Sequence, residues 1–241
     1  MPNDHGSSAR QPDLVDALPW GVKEQLTLEK TAIGFYLSGH LFDEVALEVR
    51  RFAKRQIADL IDTREPQLLA GIVSDLRVIN GQRGKLALFK LDDKSGVIEA
   101  RADEALINSH RHLLKDDQLI IVMGKLQPDR FAGGMLLTVN QIWDLDQARC
   151  RFGKFLRVTV NGHAPDVAHL LQTFPAVREQ TGQGELIRGL GVRLLVSRTG
   201  SSGAARAELA LDENRRFFPS DAALAQWRAQ ADQGQAVIVY E

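Results

Sequence analysis

Between Gln67 and Trp143 the hydrophobic period of the chain changes from that of helices to that of strands, and this block restricts the fold more than any other part of the sequence. Leu68 to Ile79 is rich in aliphatic and β-branched residues and ends in Asn80-Gly81-Gln82-Arg83-Gly84, a glycine-bearing segment suited to a hairpin turn. Lys85 to Asp92 is the return strand, Asp93-Lys94-Ser95-Gly96 a second tight turn, and Val97 to Ala102 a third strand. A helix is predicted from Asp103 to Leu114, with Asp103 as N-cap and Leu106, His110, Leu113 and Leu114 on one face. Gln118 to Leu126 and Met135 to Trp143 follow as strands, joined by the loop Gln127 to Gly134. Three strands, a helix and two strands is the element order of an OB-fold, a five-stranded Greek-key barrel, here assigned to residues 66–147.

The flanks have other periods. Residues 1–27 read as a lead-in, with Pro, Asn, Gly and Ser near the start and neither the basic nor the apolar segment of a signal peptide. Residues 28–65 read as connecting helices, one from Leu28 to Leu37 and one from Asp43 to Ile57, the second burying Val45, Val49, Phe52 and Ala53. The polar segment Asp62 to Pro66 marks the boundary. Residues 148–241 restart as strand (Lys154 to Val160), helix (Pro165 to Phe174), a polar glycine-containing link, strand (Val192 to Ser197), strand (Arg206 to Leu211), helix (Ser220 to Gln230) and strand (Gln235 to Tyr240). That order fits a small α+β domain of the split βαβ type. The expected fold class is therefore mixed: a short N-terminal helical segment, a five-stranded barrel and a small α+β domain.

Composition limits what such a chain can do. Lys plus Arg number 30 and Asp plus Glu 31, so attraction to nucleic acid must come from local patches, and a histone-like or tail-like binder is excluded. Cys150, the single cysteine, cannot form an internal disulfide, and no stretch approaches a membrane span; a reducing cytoplasm is expected.

The segment Glu29-Lys-Thr-Ala-Ile-Gly-Phe-Tyr-Leu-Ser-Gly-His40 resembles the stretch that precedes the OB domain in the alpha subunit of bacterial DNA polymerase III. Ala70-Gly71-Ile72-Val73, Leu91 to Gly96, Ile121-Val122-Met123-Gly124-Lys125 and Gly133-Gly134 are similar to that family's barrel. Leu41 departs from it, since proline usually follows the histidine there. The resemblance implies a non-catalytic C-terminal part of the subunit. The palm aspartates that hold two metal ions for nucleotidyl transfer lie upstream in the family, as does its clamp-binding motif. What it leaves is an OB domain thought to hold single-stranded template and a C-terminal domain that binds the tau subunit of the clamp loader, next to the rest of the polymerase III core.

No residue is expected to be catalytic, and neither a metal nor a cofactor is expected. Asp144-x-Asp146 mimics a metal-binding pair on an extended strand but sits at an interdomain junction and reads as a solvated turn. His110 and His112, two apart in a predicted helix, face away from each other. His163, His169 and Cys150 have no ligand cluster around them, and Ser197 to Ser202 lacks the lysine of a phosphate loop and reads as a hairpin loop.

Single-strand-binding OB domains combine cations for phosphates with aromatic faces for bases, on strands two and three and the loops joining strands one to two and four to five. Arg77, Arg83, Lys85, Lys90, Lys94 and Arg101 occupy those places on one side, and Lys125, Arg130 and Phe131 on the other, diluted by Asp92, Asp93 and Glu99. Phe131 is the better stacking candidate; Phe89 is a second one, although a strand-centre Phe is more often core. In the C-terminal domain Trp227 and the apolar end with Val237, Val239 and Tyr240 suit a docking surface or an edge strand. Two further readings stand beside the replicase module: a free-standing single-stranded nucleic-acid-binding protein, and a structural adaptor whose barrel touches no nucleic acid.

Overall fold

A computed structural model describes residues 39–62, 65–81, 84–129, 133–161, 165–182, 184–200, 203–212 and 214–240, together with Glu24, Leu26 and Leu28. Met1–Leu41 forms one compact unit and Phe42–Glu241 a second. In the first, Glu24, Leu26 and Leu28 are helical; most of the helix predicted from Leu28 to Leu37, and the lead-in before it, lie outside the described residues.

The second unit opens with less helix than the sequence pattern predicts. In place of a helix from Asp43 to Ile57, a single turn, α1 (Ala46–Val49), is followed by an extended stretch and a 3₁₀ turn at Ile57–Asp59. Tertiary partners outweigh local propensity here. Arg50 turns its guanidinium to the carbonyl of Arg55 at 2.8 Å and to the buried carboxylate of Asp93, which also accepts the Ile57 N–H at 3.0 Å. The predicted face is nonetheless real, for Val49 and Ala53 are fully buried.

The strands β1 (Gln67–Gly81), β2 (Gly84–Asp92), β3 (Val97–Asp103), β4 (Leu119–Pro128) and β5 (Met135–Trp143) close into a barrel in the order β1-β2-β3-β5-β4. The long β1 makes closure possible by serving two neighbours: Gln67 to Ile72 pair with β4, and Ile72 to Gly81 with β2. A bulge between Ser74 and Arg77 bends it, and Asp75 there takes φ 53°, a left-handed conformation that aspartate tolerates. Alternating residues fill the barrel, among them Leu69, Val73, Ala87, Phe89, Leu91, Ile120, Val122, Leu137 and Ile142. Gly124 sits at a second irregularity, where an added Cβ would lie 2.7 Å from the carbonyl oxygen of Thr138. The helix α2 (Glu104–Ser109) caps the barrel, with the Asp103 carboxylate accepting the Leu106 N–H at 2.9 Å. It is shorter than predicted, yet Leu113 and Leu114 remain buried in the turns that follow.

After β5 the predicted turn is a helix, α3 (Leu145–Phe152), with a capping box: the Asp144 carboxylate accepts the Gln147 N–H at 2.7 Å, and the Gln147 side chain accepts the Asp144 N–H. The C-terminal part then runs β6 (Gly153–Asn161), α4 (Val167–Thr173), β7 (Val177–Thr181), β8 (Gly184–Arg188), β9 (Gly191–Gly200), β10 (Gly203–Ala210), α5 (Asp221–Gln230) and β11 (Ala236–Tyr240). The polar link is thus a hairpin, β7–β8.

The sheet is not split. Its order is β10-β9-β6-β11, and β6 pairs directly with β9 in parallel. A split arrangement would bring β10 to the centre, but Ala205 to Ala210 are all exposed and too small and charged for that place. Leu156, Val158 and Val160 of β6 and Val192 and Leu194 of β9 instead form the two central strands' buried face, packed with Leu170, Phe217, Leu224 and Trp227.

Candidate nucleic-acid interface

Directly paired residues in neighbouring strands point to the same face of a sheet. Arg77 of β1 pairs with Leu88, Leu88 with Arg101, Arg101 with Thr138, and Thr138 with Lys125. One row therefore crosses all five strands on the outside of the barrel, with cations at its two ends and its centre. Arg101 is held in place: its Nε donates to the Thr138 hydroxyl at 3.0 Å and its Nη2 to the Gln127 side chain at 3.2 Å. Arg77 and Lys125 are exposed. A cavity of about 600 Å³ lies beside Arg101, Thr138 and Lys85.

The other predicted cations separate from this row. Lys90 lies on the same face but is bound to Asp75 at 2.7 Å, a contact that holds the Asp75 carboxyl below its usual range and raises the lysine. Lys94 sits in the β2–β3 turn and meets Asp43 at 2.7 Å. Lys85, exposed on the extended β1–β2 hairpin, belongs to the inward-pointing set of β2. Arg83, Arg130 and Phe131 lie outside the described residues. Asp93 does not dilute the patch. It is buried and ties the β2–β3 turn to Arg50 and Ile57; burial opposes its charge, but hydrogen bonds from Ser95, Arg50 and Ile57 outweigh that and lower it. Phe89 is in the core.

Trp227 is a core residue and not the docking residue expected from the sequence. At 0% exposure it packs beneath the sheet against Phe217, so it offers no docking surface. Val237 and Val239, which alternate with the buried Ile238, lie on the opposite face, away from the Trp227 core. Tyr240 is drawn into the junction between barrel and C-terminal sheet, where its hydroxyl donates to Glu48 at 2.7 Å.

That junction centres on Arg149, 3% exposed. Its guanidinium grips both oxygens of Glu48 at 2.8 Å, Asp146 at 2.8 Å, the Pro219 carbonyl at 3.1 Å and Asp221 at 2.8 Å. Burial works against the Glu48 charge, but Arg149 and Tyr240 outweigh it and hold the carboxyl below the usual glutamate range. Burial instead raises Asp146, since the neighbouring Asp144 and Asp221 offset the pull of Arg149. Phe52, Trp143, Phe152 and Tyr240 pack beside it with ring centroids 5.2 to 5.4 Å apart. Asp144 and Asp146 are therefore a helix cap and an ion-pair partner, and no group of three or more His, Cys, Asp or Glu among the described residues is placed to hold a metal.

Residues 68–145 match the family described as OB-fold nucleic acid binding domain. DNA polymerase III subunit alpha of Pseudomonas fluorescens is 33% identical over 227 residues, covering 91% of this chain and 18% of that subunit. The subunit of Neisseria meningitidis serogroup A is 36% identical over 165 residues, covering 68% and 14%. That of Escherichia coli O157:H7 is 26% identical over 248 residues, covering 98% and 20%. The chain thus spans a fifth or less of the curated relatives it matches. Among solved structures, the second OB-fold domain of replication protein A from Methanococcus maripaludis aligns with a TM-score of 0.30 at 17% identity, covering 38% of this chain and 93% of that one.

Proposed function

Given that the chain is a relative of DNA polymerase III alpha subunits over 91% of its length, we propose that it is a non-catalytic module of such a subunit, acting in DNA replication in the cytoplasm. Its barrel holds single-stranded template, and its C-terminal domain docks the tau subunit of the clamp loader. The observation that carries the first role is the row Arg77-Leu88-Arg101-Thr138-Lys125, with Arg101 pre-set by Thr138 and Gln127. A phosphate backbone laid along it meets three cations, while Leu88 offers an apolar contact between two of them. Lys85, Arg83, Arg130 and Phe131 are proposed, from the sequence, as further contacts of that strand. The tau role is our inference from the kinship, with Val237 and Val239 as its apolar contacts on the sheet face away from Trp227.

Titration of labelled single-stranded oligonucleotide at several salt concentrations tests the barrel. Each lost phosphate contact reduces the slope of log K against log salt by about 0.7, so Arg77→Ala/Arg101→Ala/Lys125→Ala should lower it by about 2. Undiminished binding by that variant refutes the assigned face. Capture of purified tau by the chain, weakened by Val237→Asp, separates the replicase module from a free-standing nucleic-acid-binding protein.

A further inference from the structure

A larger cavity than the one beside Arg101, about 650 Å³, opens where the connecting segment, the start of β1 and the α3–β6 corner meet. Lys54, Arg55, Arg151 and Lys154 line it, all exposed, and Glu65 is the one carboxylate among the lining residues. Arg55 is oriented by the Gln67 side-chain carbonyl, which accepts from its Nη1 at 3.3 Å, while the Gln67 amide donates to the Ile61 carbonyl at 3.1 Å. Phe52 and Phe152, stacked at 5.4 Å and each half-buried, supply apolar wall. Among the described residues, neither Lys54 nor Arg151 has a carboxylate within ion-pair distance.

The register connects this cavity with the barrel row. Gln67 pairs with Gly124, the residue before Lys125. The β4 end of the row therefore abuts the strand start that forms the wall of the cavity. Four cations and two aromatic rings in a cleft of a size that takes ligands of nucleotide scale (roughly 300–1,000 Å³) are the combination that grips a phosphate backbone and tolerates any base.

We propose that this cleft is a second nucleic-acid subsite, which takes the phosphates of the same single strand as it leaves the barrel row past Lys125. The subsite rests on the barrel-binding reading for its direction of approach, though not for its chemistry. It makes the occupied length of strand greater than the barrel alone accounts for.

The test uses the full chain, an oligonucleotide of about 6 nucleotides and one of about 20, chosen to be within and beyond the roughly 4–16 nucleotides an OB-fold covers. Lys54→Ala/Arg151→Ala/Lys154→Ala removes exposed side chains only, and an unchanged thermal melt confirms its folding. It should leave affinity for the short strand within about twofold while lowering the salt slope for the long strand by about 2. An unchanged slope for the long strand overturns the proposal. The barrel triple variant, measured in parallel, must weaken both lengths; if it weakens neither while the cleft variant weakens the long strand, the cleft stands as a site and the barrel assignment falls. Failure of the parent chain to bind either length overturns both.

Discussion

Arg149→Met keeps most of the aliphatic bulk of a 3% exposed side chain and removes every hydrogen bond that the guanidinium makes at the junction centre. Asp221 contributes little to the loss, because its side chain is 85% exposed and surface pairs are worth about 0–1 kcal/mol. Glu48 and Asp146, at 24% and 33%, are the carboxylates that lose the guanidinium, with Glu48 keeping the Tyr240 hydroxyl. Breaking a buried pair on one side costs about 3–5 kcal/mol, and their partial exposure places this loss near the lower end, about 3 kcal/mol. Urea unfolding followed by tryptophan fluorescence measures it, and Glu48→Gln in the same background should show a coupling of about 1–3 kcal/mol. The pH dependence carries a sign. Because the folded Glu48 titrates below its ordinary value, its stabilisation is present above about pH 4.3 and is lost as pH falls through the depressed value. Asp146, raised by burial, acts oppositely: the parent loses stability as pH rises between its ordinary and raised values. In Arg149→Met the Tyr240 hydroxyl and the Arg228 charge still lower Glu48 against burial, but the larger pull of Arg149 is gone, so the variant should gain on the parent as pH falls through the carboxylate range. A loss under about 1 kcal/mol, or a difference indifferent to pH, would show that the junction behaves as an ordinary surface network and refute the reasoning.

Three other outcomes are expected. Phe89→Ala, at a 3% exposed barrel position, should destabilise the chain by about 3–5 kcal/mol in urea and leave the salt slope of DNA binding unchanged where the variant is folded. Asp75→Asn releases Lys90 and should steepen the salt slope by about 0.7 in the oligonucleotide titration. Burial, and then the nearby Asp146, push the Cys150 thiol up to about 12, so its native-state reaction with a disulfide reagent at pH 8 should be more than tenfold slower than after unfolding.

The barrel was legible because each strand alternates and each turn carries its own chemistry, from Gly81 and Gly84 to Asp93 and Gly96; the five strands lie within a few residues of their expected positions. The helix at Asp43 to Ile57 was misleading because Arg50 answers to Asp93, a partner far along the chain. The capping box Asp144-x-x-Gln147 was the available signal for α3, obscured by the likeness of Asp144-x-Asp146 to a metal pair. Strand order in the C-terminal sheet depends on which strand tolerates an edge, and the small, charged run from Ala205 to Ala210 would have indicated it. For the proposed interface, charge and fold pointed to Arg77, Arg101 and Lys125. The neutralisation of Lys90 and Lys94 by Asp75 and Asp43, the supports Thr138 and Gln127, and the cleft at Lys54 and Arg151 arise from register and tertiary approach, which no local pattern records.

The divided pairing of β1 has a consequence in time. Its later half can zip with β2 as soon as the short hairpin leaves the ribosome, but its first half waits for β4, roughly 50 residues further on. At roughly 5–20 residues per second that interval lasts several seconds. During it, the apolar run from Leu68 to Val73 has an unpaired edge open to other nascent chains, so slowed elongation across residues 85–125 should raise the misassembled fraction far more than the same pause placed after Trp143.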